Sequence, residues 1–369
     1  MVGERGFEPP TPWSRTRCST RLSHSPTRKG SRIAHVRDDS KYIIRAVRSR
    51  FVRHSWGSGT AGRCGIQLSP CQRSLERRTF SDFNSHLKAI RVSGRVGRDL
   101  RSYKLGAIIP FALLHLAVLA VFFVPFAWKW VGLMAATYCL RMFGVTAGYH
   151  RYFSHRSYKM ARVPQFLMAF LAQTSSQKGV LWWAAHHRDH HQNSDLETDV
   201  HSPWQSGFWW SHVGWVISND FDDYDPRRIN DFGKFPELRW LNRWHWVPTA
   251  LFAAAIYFTL GASAFVWGYI ASTVILFHCT FSINSLAHIW GSRRYETPDQ
   301  SRNNFFLALV TMGEGWHNNH HRFMHSCRQG LRWWEVDATF YALKIMSWCG
   351  LTRDLRECHL PSEAVEKAS

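Results

Sequence analysis

Residues 105–126 read LGAIIPFALLHLAVLAVFFVPF, an apolar stretch of 22 residues. A helix rises 1.5 Å per residue, so a helix of this length crosses a hydrocarbon layer of roughly 30 Å. A second apolar stretch, WVGLMAATYCLRMFGVTAGY at residues 130–149, follows after three residues. The two stretches therefore predict a tight transmembrane hairpin.

A second hairpin is predicted further along the chain. Residues 246–265 and 266–288 are both apolar and directly adjoin each other. The polar segments after the two hairpins carry 11 and 10 Lys and Arg residues, whereas the hairpin turns carry only Lys129. Basic residues favour the cytoplasmic side, so both polar segments are expected there. The predicted fold is an all-α integral membrane protein with four transmembrane helices in two hairpins and a cytoplasmic helical cap.

The basic charge of the chain is concentrated at its beginning. Of the net charge of +20, residues 1–104 contribute +16, from 23 Lys and Arg against 7 Asp and Glu. This segment is rich in Arg, Ser, Gly and Pro and has no helical or strand period, which predicts disorder. Its opening, GFEPPTPWSRTRC at residues 6–18, resembles the translation of a transfer-RNA gene, so the segment is interpreted as extraneous, with a transit peptide as the alternative.

We therefore predict three regions: a basic extension at residues 1–104, a membrane domain at 105–355 and a tail at 356–369. The extension has no aromatic interleaving and no nucleic-acid-binding motif, so no nucleic-acid partner is predicted. The eight cysteines form no CxxC pair, which excludes a zinc ribbon or a disulfide framework and favours a reducing compartment. The 21 histidines are the unusual feature of the composition.

Three histidine clusters lie outside the predicted spans, and the first of them directly follows the second span. HRYFSH holds His150 and His155, whose spacing of five reaches one site only if the helix ends or bends between them. HRDHH and HNNHH each hold three histidines at positions i, i+3 and i+4, which share one face of a helix. These histidines are His187, His190, His191, His317, His320 and His321.

The end of the fourth predicted span adds two candidate ligands. His288 closes this span, and Asn284 lies one turn before it on the same face. The topology brings all nine imidazoles to one level, and nine are more than one metal needs. With Asn284 supplying one further position, directly or through water, the set suits two metals. Imidazole binds Fe, Cu, Ni and Zn, so the ligands alone do not choose the metal.

Other kinds of site explain the clusters less well. A transmembrane haem protein would place paired histidines in mid-span, whereas these lie at span ends and in loops. Solvated helix faces do not explain three clusters at the same level. Isolated histidines on apolar faces are interpreted as structural, namely His115, His212, His245 and His278, whereas His186, His201 and His325 stay unassigned.

The segments HRYFSH, HRDHH, NSLAH and HNNHH, in this order between two hairpins, resemble the boxes of the stearoyl-CoA-type fatty-acyl desaturases. The resemblance covers about residues 105–350. It implies that the nine histidines bind two iron ions, with Asn284 holding a water on one of them. It also implies an oxidoreductase of fatty acid biosynthesis that uses O2 and two electrons. The product would be a cis double bond, expected at delta-9, in a saturated acyl chain.

The resemblance also implies a substrate tunnel. Gln177, Trp183 and Thr280 would line it, and Tyr138 and Met142 would lie near its closed end. A bulky Met142, where family members often have a small residue, would shorten the tunnel. The alternative interpretation of all five residues is ordinary core packing.

One departure from the family concerns the headgroup of the substrate. The animal enzymes have an Arg-Asp pair before the second box that contacts coenzyme A, whereas Ala185 and His186 stand here, with Lys178 upstream. Acyl-CoA is the first expected substrate, and a membrane glycerolipid or a carrier-protein thioester is the alternative. Electrons are expected from a separate ferredoxin, cytochrome or reductase.

Other functions of the same scaffold stay open at this point. A di-iron membrane hydroxylase, a sphingolipid desaturase and a non-catalytic metal-binding membrane protein are the rivals. The expected location is a multi-pass membrane protein with its active site on the cytoplasmic side. A bacterial inner membrane follows if the extension is extraneous, and an organelle membrane otherwise.

Overall fold

The computed structural model describes residues 103–358, and this part of the chain is helical with isolated bridges but no strand. The all-α prediction is therefore confirmed for these residues. The predictions for the extension, apart from Tyr103 and Lys104, and for most of the tail lie outside the described residues. The α-helices are α1 Leu105–Ala117, α2 Trp128–Phe143, α3 Arg162–Gln173, α4 Val180–Asn193, α5 Pro203–Ser206, α6 Asn230–Gly233, α7 Pro236–Arg243, α8 Trp246–Phe265, α9 Ser272–Asn284, α10 Phe305–Val310, α11 His317–Arg322 and α12 Ala338–Trp348.

Several of these helices continue in tighter or wider turns. The 3₁₀ segments are Val118–Phe122, Pro226–Ile229 and Leu286–His288, and the π segments are Gly144–Ser154, Trp210–Gly214 and Val266–Ala271. Counting these continuations, three helices within residues 103–358 are long and apolar enough to cross a membrane. They are Leu105–Phe122, Trp128–Ser154 and Trp246–His288. The first is shorter than the predicted 105–126, and the second extends beyond the predicted 130–149.

The third of these helices is broken at Gly261 and folds back on itself. Gly261 has φ +84° and ψ −177°, a conformation that is essentially restricted to glycine. The hydroxyls of Thr249 and Tyr269 lie 3.0 Å apart, whereas 20 residues of continuous helix would separate them by about 30 Å. The two halves are therefore antiparallel, and the reversal occurs four residues before the predicted boundary at 265/266.

The end of the second long helix forms the centre of the core. All eleven residues of the π segment Gly144–Ser154 are buried. Gly144 and Gly148 allow α3 to approach closely, since a Cβ atom at Gly144 would lie 3.0 Å from the backbone of Ala172. Small residues at such contacts are typical of helices packed inside membranes.

Arg151 joins this segment to the region that carries α11. Its guanidinium is almost fully buried and donates hydrogen bonds to Glu314, at 3.0 Å, and to Asp337, at 3.0 Å. Asp337 also accepts the backbone N–H of Phe340 and so caps the start of α12. Buried ion pairs of this kind are strongly destabilising to break, so they hold the polar segments in one register against the apolar helices.

Candidate metal centre

The wide last turns of the second long helix bring His150 and His155 together. The N–H of His155 donates to the carbonyl of His150 at 3.1 Å, an i to i+5 hydrogen bond typical of π geometry. The two imidazole rings lie 4.8 Å apart between centroids. The prediction was that the helix ends or bends between the two histidines, and it does end between them, at Ser154. The wider π turns before this end are what bring the two rings together.

The two histidine triplets lie on short regular helices. α4 carries His187, His190 and His191, and α11 begins at His317. Gly315 lets the chain approach α10 just before α11, because a Cβ atom there would lie only 2.0 Å from the backbone nitrogen of Ala308. The tight approach fixes where α11 starts relative to the rest of the core.

Five histidines converge on one point, and we call them the five-histidine cluster. One ring nitrogen from each lies within 4.8 Å of those of all the others. The Nε2 atoms of His155 and His187 are 2.9 Å apart, and the Nε2 atoms of His150 and His320 are 3.0 Å apart. The members are His150, His155, His187, His191 and His320.

Four other histidines form a second convergent group, the four-histidine cluster, under the same distance limit. The Nε2 atoms of His288 and His317 are 3.1 Å apart. The members are His190, His288, His317 and His321. Asn284, the tenth predicted ligand, ends α9 and lines a cavity beside the clusters. The structure thus gathers the nine predicted histidines into two groups rather than one.

A carboxylate lies behind four of these rings. The Nδ1 atom of His288 is 2.8 Å from Asp195, and that of His321 is 2.8 Å from Asp299. A carboxylate in this position holds the proton on Nδ1 and leaves the Nε2 lone pair directed into the cluster. The remaining pairs are His190 with Asp199, at 3.1 Å, and His150 with Glu314.

These four acids are not among the site residues predicted from the sequence. A signal was available, because Asp195 and Asp199 follow the last histidine of HRDHH by four and eight residues, and Glu314 lies three residues before HNNHH. Carboxylates near a histidine box are the usual partners of metal-bound imidazole. Asp299 lies in a loop far from any box in sequence and gave no such signal.

The donor set fits metal ions. The Nε2 atom of His321 is buried and has no hydrogen-bond partner, although its Nδ1 faces Asp299. A buried lone pair without a donor is costly, and a cation would satisfy it. Burial also lowers the pKa of His317 and of His320 well below the usual value, and neighbouring histidines lower it further. Both imidazoles are therefore neutral at pH 7, as ligation requires.

Histidines outside the two clusters have other surroundings. His201 lies beside the four-histidine cluster, with its ring 4.3 Å from that of His190. His115, His278 and His212 form a chain in which neighbouring ring nitrogens lie 3.0 Å apart. His186 is hydrogen-bonded to the carbonyl of Asp223 at 3.1 Å, His325 is exposed, and His245 lines the cavity.

A cavity of about 910 Å³ adjoins the five-histidine cluster. Trp183 lines it and stacks on the ring of His187, with centroids 5.0 Å apart. Gln177 links two cavity residues, because its amide donates to Thr280 Oγ1 at 3.0 Å and its carbonyl accepts the indole N–H of Trp183 at 3.3 Å. The structure therefore brings three of the five predicted tunnel residues together on one wall.

The other two predicted tunnel residues lie elsewhere. Tyr138 donates a hydrogen bond to the carbonyl of Val310, and Met142 is buried in the main core. Neither is among the residues that line the cavity.

One end of the cavity is charged. Asp222 forms ion pairs with Lys178, at 3.0 Å, and with Lys104, at 2.5 Å, and all three residues line the cavity. We call these three residues the mouth. The ion pairs also hold the pKa of Asp222 below its usual value, against the opposing effect of its partial burial.

Sequence comparison identifies similar proteins across most of the chain. The model of the fatty acid desaturase family matches residues 126–345. An icosanoyl-CoA 5-desaturase of Limnanthes douglasii is 37% identical over 273 residues, covering 72% of this chain and 74% of the relative. An sn-1 stearoyl-lipid 9-desaturase of Synechocystis sp. is 39% identical over 259 residues, covering 69% and 79%. A chloroplastic palmitoyl-monogalactosyldiacylglycerol delta-7 desaturase of Arabidopsis thaliana is 34% identical over 271 residues, covering 72% of each.

The family match at residues 126–345 includes every histidine of both clusters and the second and third of the long apolar helices. Convergent histidines that could bind iron, apolar membrane helices and a match over most of the chain all indicate an oxidoreductase of lipid metabolism. The chain belongs to the fatty acid desaturase family.

Proposed function

We propose that this protein is an O2-dependent desaturase that introduces a cis double bond, at delta-9, into a saturated acyl chain. The observation that carries the proposal is the contact between the cavity and the five-histidine cluster, through the stacked rings of Trp183 and His187. A hydrocarbon chain in the cavity would lie beside the histidines that would hold the metal. No side chain is basic enough to deprotonate an alkane, so a metal must carry the oxidation.

Two iron ions would be held by the five-histidine and four-histidine clusters, with Asn284 holding a water on one of them. Bound iron would supply the oxidation by O2 that removes two hydrogen atoms. The overall change is balanced: a saturated acyl chain, O2, two electrons and two protons give the unsaturated chain and two waters. The electrons come from a separate ferredoxin, cytochrome or reductase.

The side chains of the protein position the substrate and the ligands. The hydrogen bonds of Gln177 to Thr280 and Trp183 fix the cavity wall beside His187. Phe111, Phe277 and Phe281 give the cavity an apolar lining that excludes water from the reacting carbon atoms. The carboxylates behind the rings keep the imidazoles oriented.

The mouth is the proposed site for the headgroup. Lys104 and Lys178 provide two positive charges there, and Asp222 offsets one of them. This net positive charge favours an anionic, phosphate-bearing headgroup. Coenzyme A and phospholipids share that chemistry, and the names of the relatives include both acyl-CoA and acyl-lipid desaturases. Acyl-CoA is the substrate that we propose first.

Four membrane spans and a cytoplasmic active site are part of the proposal. The reversal at Gly261 supports two spans within the third long helix, which is 43 residues long. Both clusters use residues at or beyond the ends of the long helices. The choice of a bacterial inner membrane depends on the sequence argument alone, and two of the plant relatives are chloroplastic.

The test is to express the full chain in a host that lacks its own desaturase and to analyse the fatty acids. We expect a new monounsaturated acid, absent with His320→Ala and present with His325→Ala, a matched change at an exposed histidine. The position of the double bond tests delta-9. Purified protein supplied with stearoyl-CoA or with dipalmitoyl phospholipid would separate the two substrate classes. Hydroxylated acids would indicate the hydroxylase, and unaltered lipids with iron-loaded protein would indicate a non-catalytic metal-binding protein.

A further inference from the structure

The helix α1 forms one wall of the cavity. Ala107, Phe111 and Leu114 of α1 line the cavity, as do Phe277 and Thr280 of α9. No residue of α1 is buried. The side of α1 that faces away from the cavity exposes large apolar side chains. These are Leu105, Ile109, Leu113 and Leu116. Because Leu105–Phe122 is apolar and long enough to cross a bilayer, this exposed side is suited to lipid. Within residues 103–358, a single helix thus separates this side of the cavity from the bilayer.

The helix α1 contacts the rest of the protein at its start, at the π segment Val266–Ala271 and through Phe111 and Leu114, which pack against the main core. At its start, the N–H of Lys104 donates to the carbonyl of Ile217 at 3.1 Å, and the Lys104 ammonium pairs with Asp222. Further along, two side chains contact α9. The ring of Phe111 stacks on Phe277, with centroids 6.1 Å apart, and the Nε2 atoms of His115 and His278 lie 3.0 Å apart.

The helix also has a natural point of bending. Pro110 lies inside α1 and has no N–H, so the carbonyl of Gly106 lacks its helical partner. Helices bend most readily at such a position. The half of α1 after Pro110 carries the contacts with α9, and the half before it carries the contacts at the mouth. A bend at Pro110 would open the seam between α1 and α9, which these contacts form, without releasing the mouth.

We infer that α1 is a lateral gate, and that the acyl chain enters the cavity from the bilayer between α1 and α9. This inference rests on the proposed function, since it takes the cavity as the acyl site. The chain of an acyl-CoA or a glycerolipid lies among the lipid tails, with its headgroup at the surface. Entry through the seam keeps the chain away from water and leaves the headgroup at Lys104 and Lys178. Entry through the mouth would carry an apolar chain past three charged groups.

The experiment joins the two helices reversibly. Phe111→Cys and Phe277→Cys are combined in the full-length, iron-loaded protein and linked by a short, reducible bis-thiosulfonate reagent. The protein is placed in phosphatidylcholine vesicles that contain a phosphatidylcholine with a photoreactive diazirine acyl chain. Peptide mass spectrometry measures the linked fraction and the label on residues 276–284, and fatty acid analysis measures turnover. We expect both the label and the turnover to fall in proportion to the linked fraction and to return on reduction.

Two controls separate the gate from side effects of the reagent. Each single-cysteine variant receives the same reagent and should keep its label. Arg162→Cys combined with Glu237→Cys replaces an ion pair of 2.7 Å between α3 and α7, neither member of which lines the cavity. Linking that pair should leave label and turnover unchanged.

The outcomes distinguish the gate from the proposed function. Undiminished labelling of residues 276–284 in fully linked Phe111→Cys/Phe277→Cys protein would overturn the gate, whatever the activity. Labelling that depends on the linker, together with a native protein that makes no unsaturated acid in the same vesicles, would support the gate and overturn the desaturase proposal. The label does not depend on turnover, so an inactive variant still gives a result.

Discussion

Replacing Asp299 with Asn removes a negative charge behind His321 and keeps the size of the side chain. The Oδ2 atom of Asp299 is 2.8 Å from His321 Nδ1, and the other oxygen accepts the N–H of Ser301 at 2.9 Å. Burial alone would raise the pKa of Asp299, but the hydrogen bond and charge of His321 lower it well below the usual value. The carboxylate is therefore ionised at neutral pH, and the substitution deletes a charge at a fixed position.

The expected magnitude follows from the role of such carboxylates. Loss of an outer carboxylate from a metal-bound histidine reduces metal affinity by about 10–100-fold. This corresponds to about 1.4–2.8 kcal/mol. His321 belongs to the four-histidine cluster, and the carboxylate of Asp299 contacts His321 rather than a ring of the five-histidine cluster. One of the two metals should therefore be lost first, at a chelator concentration about 10–100-fold lower than the native protein requires.

The assay loads the full-length protein with iron, dialyses it against graded concentrations of a chelator and measures iron per protein. Asp354→Asn is the matched control, because Asp354 forms an exposed ion pair with Lys159 at 2.8 Å. The control should retain both metals. If Asp299→Asn holds both irons as tightly as the control, the carboxylate does not support a metal ligand. Simultaneous loss of both irons would refute the separation into two clusters.

Three further predictions concern stability and the position of α11. Arg141→Lys should lower the free energy of unfolding by about 1–3 kcal/mol, because the fully buried guanidinium donates to Ser272 and Thr273 at 2.6 Å each and a lysine ammonium does not reach both. An unchanged thermal midpoint in detergent would contradict this. Gly261→Ala should cost about 1–3 kcal/mol, because φ is +84° there. Gly132→Ala lies inside α2 with open space around the added Cβ and should not lower stability in the same measurement. Gly315→Ala should displace α11 and reduce iron content, because the new Cβ would lie 2.0 Å from a backbone nitrogen; full iron loading would show that the chain adjusts.

The sequence alone allowed much of the site to be predicted, for a physical reason. Metal coordination demands particular residue types, and the i, i+3, i+4 spacing of HRDHH and HNNHH fixes which side of a helix they occupy. The apolar stretches were equally readable, since length and composition decide whether a helix suits a bilayer. The reversal at Gly261 was placed four residues too late, because one glycine among apolar residues does not reveal a left-handed backbone.

Other features depend on contacts that no local pattern contains. The alignment of His150 with His155 needs π geometry, which arises where the segment packs against α3 and α4 rather than from its own composition. The pairing of Asp299 with His321 joins residues 22 apart through the fold of a loop. The cavity wall formed by α1 likewise depends on how α1 lies beside α9.

The division of the histidines explains why the two clusters form a single structural unit. α4 gives His187 and His191, four residues apart, to the five-histidine cluster and His190 to the other. α11 does the reverse, giving His317 and His321 to the four-histidine cluster and His320 to the first. Each helix therefore contributes to both clusters through one face. A change that shifts either helix as a body should weaken the binding of both metals, whereas loss of one carboxylate should weaken the binding of one. We therefore expect Gly315→Ala to lose both irons and Asp299→Asn to lose one first.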